Sequence, residues 1–248
     1  MFMRLASLKT RSKYGIVFTL LGSVLLGLSF DQHLVPAVLL AWCGVCFVIL
    51  GMAYFTNNAA VFGKRPDGTL RWPESLLMMP YLLLAAVVWR VQNLFTDKCP
   101  WSGVAPNLYV GRRCSLAQLP PNTSGVIDVT AEFPTPRTLR QQSRVLVVPT
   151  LDGGAPSWSQ CQQVADFVRT DPTGVYYVYC ANGAGRSVTY VAILLGLKGL
   201  ASSASEAIDS IRKARKVAAP NTDQRRFIEE VFKTQILQNG QTISSEVG

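Results

Sequence analysis

The run Cys180-Ala181-Asn182-Gly183-Ala184-Gly185-Arg186-Ser187 combines a nucleophile with the means to hold an anion. A β-rich stretch, Gly174 to Tyr179, delivers the cysteine into a small, glycine-rich turn, and an apolar helix-like run, Val188 to Leu197, follows. In that order the N–H groups of the turn and the start of the helix converge on one spot, which suits a phosphate dianion. The planar guanidinium of Arg186 can grip two phosphate oxygens. A positive field of this kind favours a thiolate, the nucleophilic form of cysteine.

A cysteine, five residues, arginine and serine between a strand and a helix resembles the signature loop of the cysteine-dependent protein tyrosine phosphatase superfamily. The short flanks are most similar to its dual-specificity branch, over roughly Asn107 to Phe232. The resemblance implies that Cys180 attacks phosphorus to form a phosphocysteine, that Arg186 and the loop Ala181–Gly185 hold the phosphoryl oxygens, and that Ser187 stabilises the leaving thiolate. It implies no metal and no organic cofactor. One departure is Tyr179, which stands where the family usually has the histidine that helps fix the loop.

A phosphate ester's leaving oxygen needs a proton, which a carboxylic acid can supply. Asp128, Asp152, Asp166 and Asp171 are the candidates. Asp128 falls within an expected strand and Asp166 within an expected helix, so both read as structural. Asp152 stands out because Leu151-Asp152-Gly153-Gly154 follows an apolar strand directly, on a loop that two glycines make mobile. The resemblance also puts a general acid on the loop after this strand. It further reads Glu132 as a structural hydrogen-bonding residue and sets Asn221, otherwise a helix cap, near the signature loop.

The elements that must position these residues are legible downstream of residue 104. Strands are expected at Asn107–Gly111, Val126–Val129, Arg144–Val148 and Val175–Tyr179, and helices at Ser157–Arg169, Ser187–Lys198, Ser203–Lys216 and Asp223–Leu237. Such alternation gives an α/β fold, a mainly parallel central sheet flanked by helices, similar to a dual-specificity phosphatase. Ligands then bind at the carboxyl ends of the strands, where Cys180 sits. The expected catalytic domain is 104–238, with a tail at 239–248.

The first 95 residues are different. The chain has 248 residues and a net charge of +9, with a pI near 9.5 and a mean hydropathy of +0.22. Apolar residues concentrate before Phe95 in two or three hydrophobic segments. Residues 14–30 and 34–55 are long enough to span a bilayer, and the polar link Asp31-Gln32-His33 makes them a helical hairpin. A cleaved signal peptide is the other reading of the first run, which Arg4, Lys9, Arg11 and Lys13 precede. Basic residues before the first run and at Lys64, Arg65 and Arg71 place both flanks in the cytoplasm. The third segment, about 75–95, is short and contains Pro80; it lies in the interface or spans. The interfacial choice keeps Cys180 in the reducing cytoplasm.

Cys43 and Cys46 sit in continuous apolar sequence and read as filler, not as metal ligands. Gly63–Gly68 reads as a basic loop, either solvated or against anionic lipid, and Arg137, Arg140 and Arg144 as a solvated basic face. Nucleic acid is excluded because the positive charge follows the membrane pattern and no aromatic–basic binding motif appears. The reading is an integral membrane phosphomonoester phosphatase, of protein tyrosine or dual-specificity type. Its partner is a phosphorylated protein or an anionic phospholipid such as phosphatidylglycerophosphate. The loop holds no Lys or Arg besides Arg186, which favours a substrate with one key phosphate. The rival is a phosphate-binding module without turnover.

Overall fold

The computed structural model describes residues 10–94 and 99–245. Arg4 and Lys9 of the basic flank, residues 95–98 and the last three residues of the expected tail lie outside the described residues.

Five strands form one sheet in the order β1-β2-β5-β3-β4: β1 (Trp101–Ala105), β2 (Leu108–Arg112), β3 (Thr123–Thr130), β4 (Val145–Thr150) and β5 (Val175–Cys180). Only β1 runs antiparallel to its neighbour. β5 lies at the centre and is buried on both faces, which is why it reads as an unbroken apolar and aromatic run. Its side chains alternate: Tyr176, Val178 and Cys180 enter the core on one face, and Tyr177 and Tyr179 enter the other. The first face packs against α6 (Trp158–Arg169), α7 (Arg186–Leu197), α8 (Ala204–Ala214) and α9 (Thr222–Ser245). Leu139 of the short helix α5 (Arg137–Gln142) covers the second. α7 is buried almost all round, and α9 runs on to Ser245, into the expected tail.

β1 and α5 are not among the elements expected from the sequence. β1 is a short edge strand containing Gly103, and α5 has one buried residue, Leu139, so neither carries a periodic apolar signal. Arg137 and Arg144 are exposed and Arg140 is half-buried. Arg140 Nε donates to the Thr135 carbonyl, while Arg144, at the amino end of β4 and away from Cys180, stacks on Phe167 and bonds Thr170.

Before the sheet, α1 (Thr10–Ser29) and α2 (Leu34–Thr56) form a hairpin, and both helices are long and apolar enough to cross a membrane. They approach closely because small residues face each other. A Cβ on Gly22 would lie 2.6 Å from the Gly44 carbonyl oxygen, and one on Gly51 2.8 Å from that of Gly15. Both free ends of the hairpin touch the sheet-bearing half. The Arg11 N–H donates to Asp223 at 3.1 Å, and Asn57 Nδ2 donates to the Ala155 carbonyl at 3.2 Å.

The third apolar segment is two helices, α3 (Trp72–Leu77) and α4 (Met79–Leu94). They meet at Met78, just before Pro80, beside the middle of α2, where Trp42 Nε1 donates to the Leu77 carbonyl. α4 then returns to the sheet at the end where β5 finishes, and there Trp89 Nε1 donates to the Ala181 carbonyl at 3.0 Å. At sixteen residues α4 is about 24 Å long, less than a bilayer core of roughly 30 Å.

The Gly63–Gly68 stretch corrects the sequence reading. Lys64 is neither solvated nor free to meet lipid. Its side chain is fully buried and its Nζ bonds Asp128 Oδ2 at 2.8 Å, the Thr130 carbonyl at 2.7 Å and Thr130 Oγ1 at 2.9 Å. Burial alone would push the Asp128 carboxyl up, but Lys64 and Thr135 outweigh it and hold it below its usual value. A cation from the N-terminal region is thus built into the sheet. Lys64→Met strands a buried carboxylate and lowers unfolding stability by roughly 3–5 kcal/mol, whereas Lys64→Met with Asp128→Leu recovers a large part of the loss. Denaturant unfolding in detergent measures both.

Candidate active site

Cys180 is the last residue of β5 and Arg186 the first of α7, so the loop between them is pinned at both ends. Its carbonyls point outward. Ala181 O accepts from Trp89 Nε1, Asn182 O and Gly183 O from Arg215, Ala184 O from the Ala219 N–H, and Gly185 O from the Thr189 N–H. A planar peptide whose carbonyl is turned out presents its N–H on the opposite edge, toward the centre of the loop. Gly183 completes the bend at φ +70°, with no room for a Cβ: one would lie 2.5 Å from the Gly111 backbone.

Cys180 Sγ lies inside this cradle. It accepts from the Gly183 N–H at 3.2 Å and lies 3.4 Å from Ser187 Oγ, which also reaches the Gly111 carbonyl at 3.4 Å. Asn182 reaches outward instead, its Nδ2 donating to Gln92 Oε1 of α4 at 2.8 Å.

Arg186 is buried, at 1% exposure, and almost every donor it has is assigned. NH1 bonds Glu132 Oε2 at 2.8 Å and the Thr150 carbonyl at 2.9 Å; NH2 bonds Glu132 Oε1 at 2.7 Å. NH2 also meets Asp152 Oδ1 at 3.0 Å, and Nε is buried with no partner among the described residues. Glu132 therefore takes the end of the guanidinium, Asp152 shares NH2, and Nε is the donor left without a partner among the described residues. Burial alone would raise the Glu132 carboxyl, but the adjacent guanidinium wins and holds it below its usual value. Burial opposes the charge of Arg186 too, and Glu132 and Asp152 more than restore it.

Asp152 is on the turn after β4, at 67% exposure, with its carboxylate on Arg186. The structure thus brings Cys180, Arg186, Ser187 and Asp152 together. The two glycines after Asp152 do not leave the loop loose. Asn221 Nδ2 donates to the Gly153 carbonyl at 2.7 Å and Gln224 Nε2 to the Gly154 carbonyl at 2.9 Å. Asn221 therefore anchors the Asp152 turn, and Asn221 Oδ1 caps α9 by accepting from the Gln224 N–H. Asp128, Asp166 and Asp171 are engaged elsewhere, with Lys64, with Arg169, and with Thr173.

Tyr179 fills the position of the expected histidine. It is fully buried, stacked on Tyr177 at 5.8 Å, and kept a neutral phenol by burial and then by the nearby Asp128 charge. Sequence reasoning missed Lys64, Trp89, Arg215 and Gln224. Trp89 sits in a run otherwise read as apolar, and the other three have no local pattern that marks them.

Asp128 and Glu132 are the buried carboxyls that tie stability to pH. The unfolded chain takes up their protons near pH 4, before the folded chain does, because both carboxyls are held low in the fold. Their contribution is therefore fully present above about pH 4 and is lost as pH falls through the folded values. Glu132→Gln removes one of the two, so its stability falls less steeply with acid, by about one proton in the slope. Urea unfolding as a function of pH measures that slope, and an unchanged slope would contradict the placement of Glu132.

Neither a protein-family profile nor a curated protein matches this chain. Solved structures do. The human tyrosine phosphatase-like serine/threonine/tyrosine-interacting protein is similar with a TM-score of 0.50 and 17% identity, over 56% of this chain and 99% of that one. PTPMT1 in complex with PI(5)P is similar with a TM-score of 0.49 and 22% identity, over 56% and 99%. Human DUSP28 is similar with a TM-score of 0.44 and 26% identity, over 54% and 99%. The likeness is one of fold: the part of the chain from β1 onward has the fold of the tyrosine phosphatase-like serine/threonine/tyrosine-interacting protein, with a strand–loop–helix order around Cys180.

Proposed function

We propose that the protein is a membrane-anchored phosphomonoester phosphatase that works through a phosphocysteine. One observation carries this reading: Cys180 Sγ sits in a loop whose carbonyls all bond outward, beside a guanidinium that still offers Nε. The phosphoryl group of the substrate occupies the cradle, its oxygens on the loop N–H groups of Ala181–Gly185 and on Nε and NH2 of Arg186. Asp152 gives up NH2 as the phosphate arrives. As the general acid, Asp152 enters this step protonated.

Cys180 thiolate attacks phosphorus, the S–P bond forms, and the P–O bond to the leaving group breaks. Asp152 transfers its proton to that oxygen, releasing an alcohol or phenol. Water then attacks the phosphocysteine while Asp152 takes a proton from it. Inorganic phosphate leaves, and the thiolate returns, with Ser187 Oγ donating to it.

The membrane placement has its own support. α1 and α2 carry exposed apolar side chains such as Val17, Leu20, Val24, Val38 and Leu39, and both ends of their hairpin meet the phosphatase half. With α1 and α2 across the bilayer and α3–α4 dipping in and returning, that half lies on the side of the basic flanks, the cytoplasm. Phosphotyrosyl, phosphoseryl and phosphothreonyl proteins and lipid phosphomonoesters all present the group this site handles.

Reduced full-length protein hydrolyses p-nitrophenyl phosphate, and Cys180→Ser abolishes the reaction. A folded wild type that binds phosphate without turnover would make it a binding module instead. Asp152→Asn slows hydrolysis of an alkyl phosphate, whose alkoxide needs the proton, by about 10²-fold or more. It slows the p-nitrophenyl ester much less. Equal losses on both esters would remove Asp152 from the role of acid.

A further inference from the structure

The mouth of the site is made by the N-terminal region. A cleft of about 210 Å³ has Asp152 and Ala181 at its floor, and Phe18 of α1 with Tyr81, Leu84 and Val88 of α4 as its walls. Phe18 and Tyr81 meet edge to face at 6.0 Å across the seam between the two helices. Beyond the cleft the outer side of α4 continues as exposed apolar side chains, Leu83, Val87 and Val91 among them. α1 and α2, the helices long enough to cross a bilayer, carry exposed apolar side chains of their own. The opening beside Ala181 is therefore flanked by apolar side chains of α1 and α4.

We infer that the substrate is a diacyl lipid ending in a phosphomonoester, which enters sideways from the bilayer between α1 and α4. This rests on the phosphatase reading above. The cleft is smaller than the roughly 300–1,000 Å³ of a site that encloses a whole ligand. With the phosphate in the cradle beside it, the cleft takes the first carbons of a headgroup, and the acyl chains stay outside against Leu84, Val88 and the apolar side of α4. Among the described residues the lining has no lysine or arginine, and its two carboxylates, Glu132 and Asp152, are both bonded to Arg186. It therefore suits one phosphate on an apolar carrier. A phosphopeptide would have to seat backbone N–H and C=O groups against Phe18, Leu84 and Val88, which offer no hydrogen-bond partners, and unpaired buried amides are costly. An acyl chain brings no such groups.

The experiment uses full-length protein in detergent micelles and four probes: p-nitrophenyl phosphate, dioleoyl phosphatidic acid, glycerol 3-phosphate and a phosphotyrosyl peptide. Glycerol 3-phosphate is the headgroup of the lipid without its chains. The expected result is a kcat/KM for the lipid at least about tenfold above that for glycerol 3-phosphate and for the peptide, because a few buried methylenes are enough for that gain. In Leu84→Glu the ratio of lipid to p-nitrophenyl phosphate turnover falls by about tenfold. Lipid hydrolysed no faster than glycerol 3-phosphate, or an unchanged ratio in Leu84→Glu, overturns lateral entry while leaving the phosphatase reading standing. Faster hydrolysis of the peptide than of the lipid overturns it in favour of a protein substrate. No hydrolysis of p-nitrophenyl phosphate overturns the phosphatase reading, and this inference with it.

Discussion

The buried guanidinium of Arg186 is the constraint around which the site is organised. A charge at 1% exposure survives only if it is paired and hydrogen-bonded. Glu132 supplies two bonds, the Thr150 carbonyl a third and Asp152 a fourth. Those partners come from the carboxyl ends of β3 and β4, so the sheet must bring three strand ends together around the start of α7. The same pairing leaves Nε as the guanidinium's donor without a partner among the described residues.

A second buried charge joins the two halves. Lys64 comes from the segment after α2 and ends on Asp128 in the middle of the sheet, while α4 closes over the Cys180–Arg186 loop through Trp89 and Gln92. The N-terminal region therefore does more than tether a catalytic unit. It supplies a counter-ion to the sheet, a donor that turns one loop carbonyl outward, and the walls of the entrance. Tyr179 is at home in this setting. A neutral phenol, stacked on Tyr177, packs on the sheet face opposite Cys180, and the positive charge on Asp128 comes from Lys64.

What was legible in the sequence is what local pattern dictates. The parallel strands are short, β-branched or aromatic runs, the amphipathic helices have a period, and Cys180 to Ser187 carries its chemistry in consecutive residues. Asp152 was legible too, because it follows a strand that ends beside the loop. β1 was not, since an edge strand that includes Gly103 lacks the alternation of a half-buried strand. Lys64 could not be told from its exposed neighbour Arg65 by composition, because burial is decided by the distant Asp128. Arg215 and Gln224 act through backbone carbonyls, and such partners leave no mark in the sequence. The third apolar segment was ambiguous for a related reason: its length and Pro80 suit a broken, returning pair of helices, but only tertiary contacts to Trp42 and Ala181 show where it goes.

The central claim is covalent chemistry at Cys180. Rapid acid quenching during turnover of p-nitrophenyl phosphate, followed by mass spectrometry of the peptide containing Cys180, tests it most directly. The account predicts a phosphoryl group on that cysteine in the wild type, formed before phosphate is released and absent from Cys180→Ser. Continuous phosphate release with no phosphocysteine at any quench time, and turnover retained in Cys180→Ser, would contradict it.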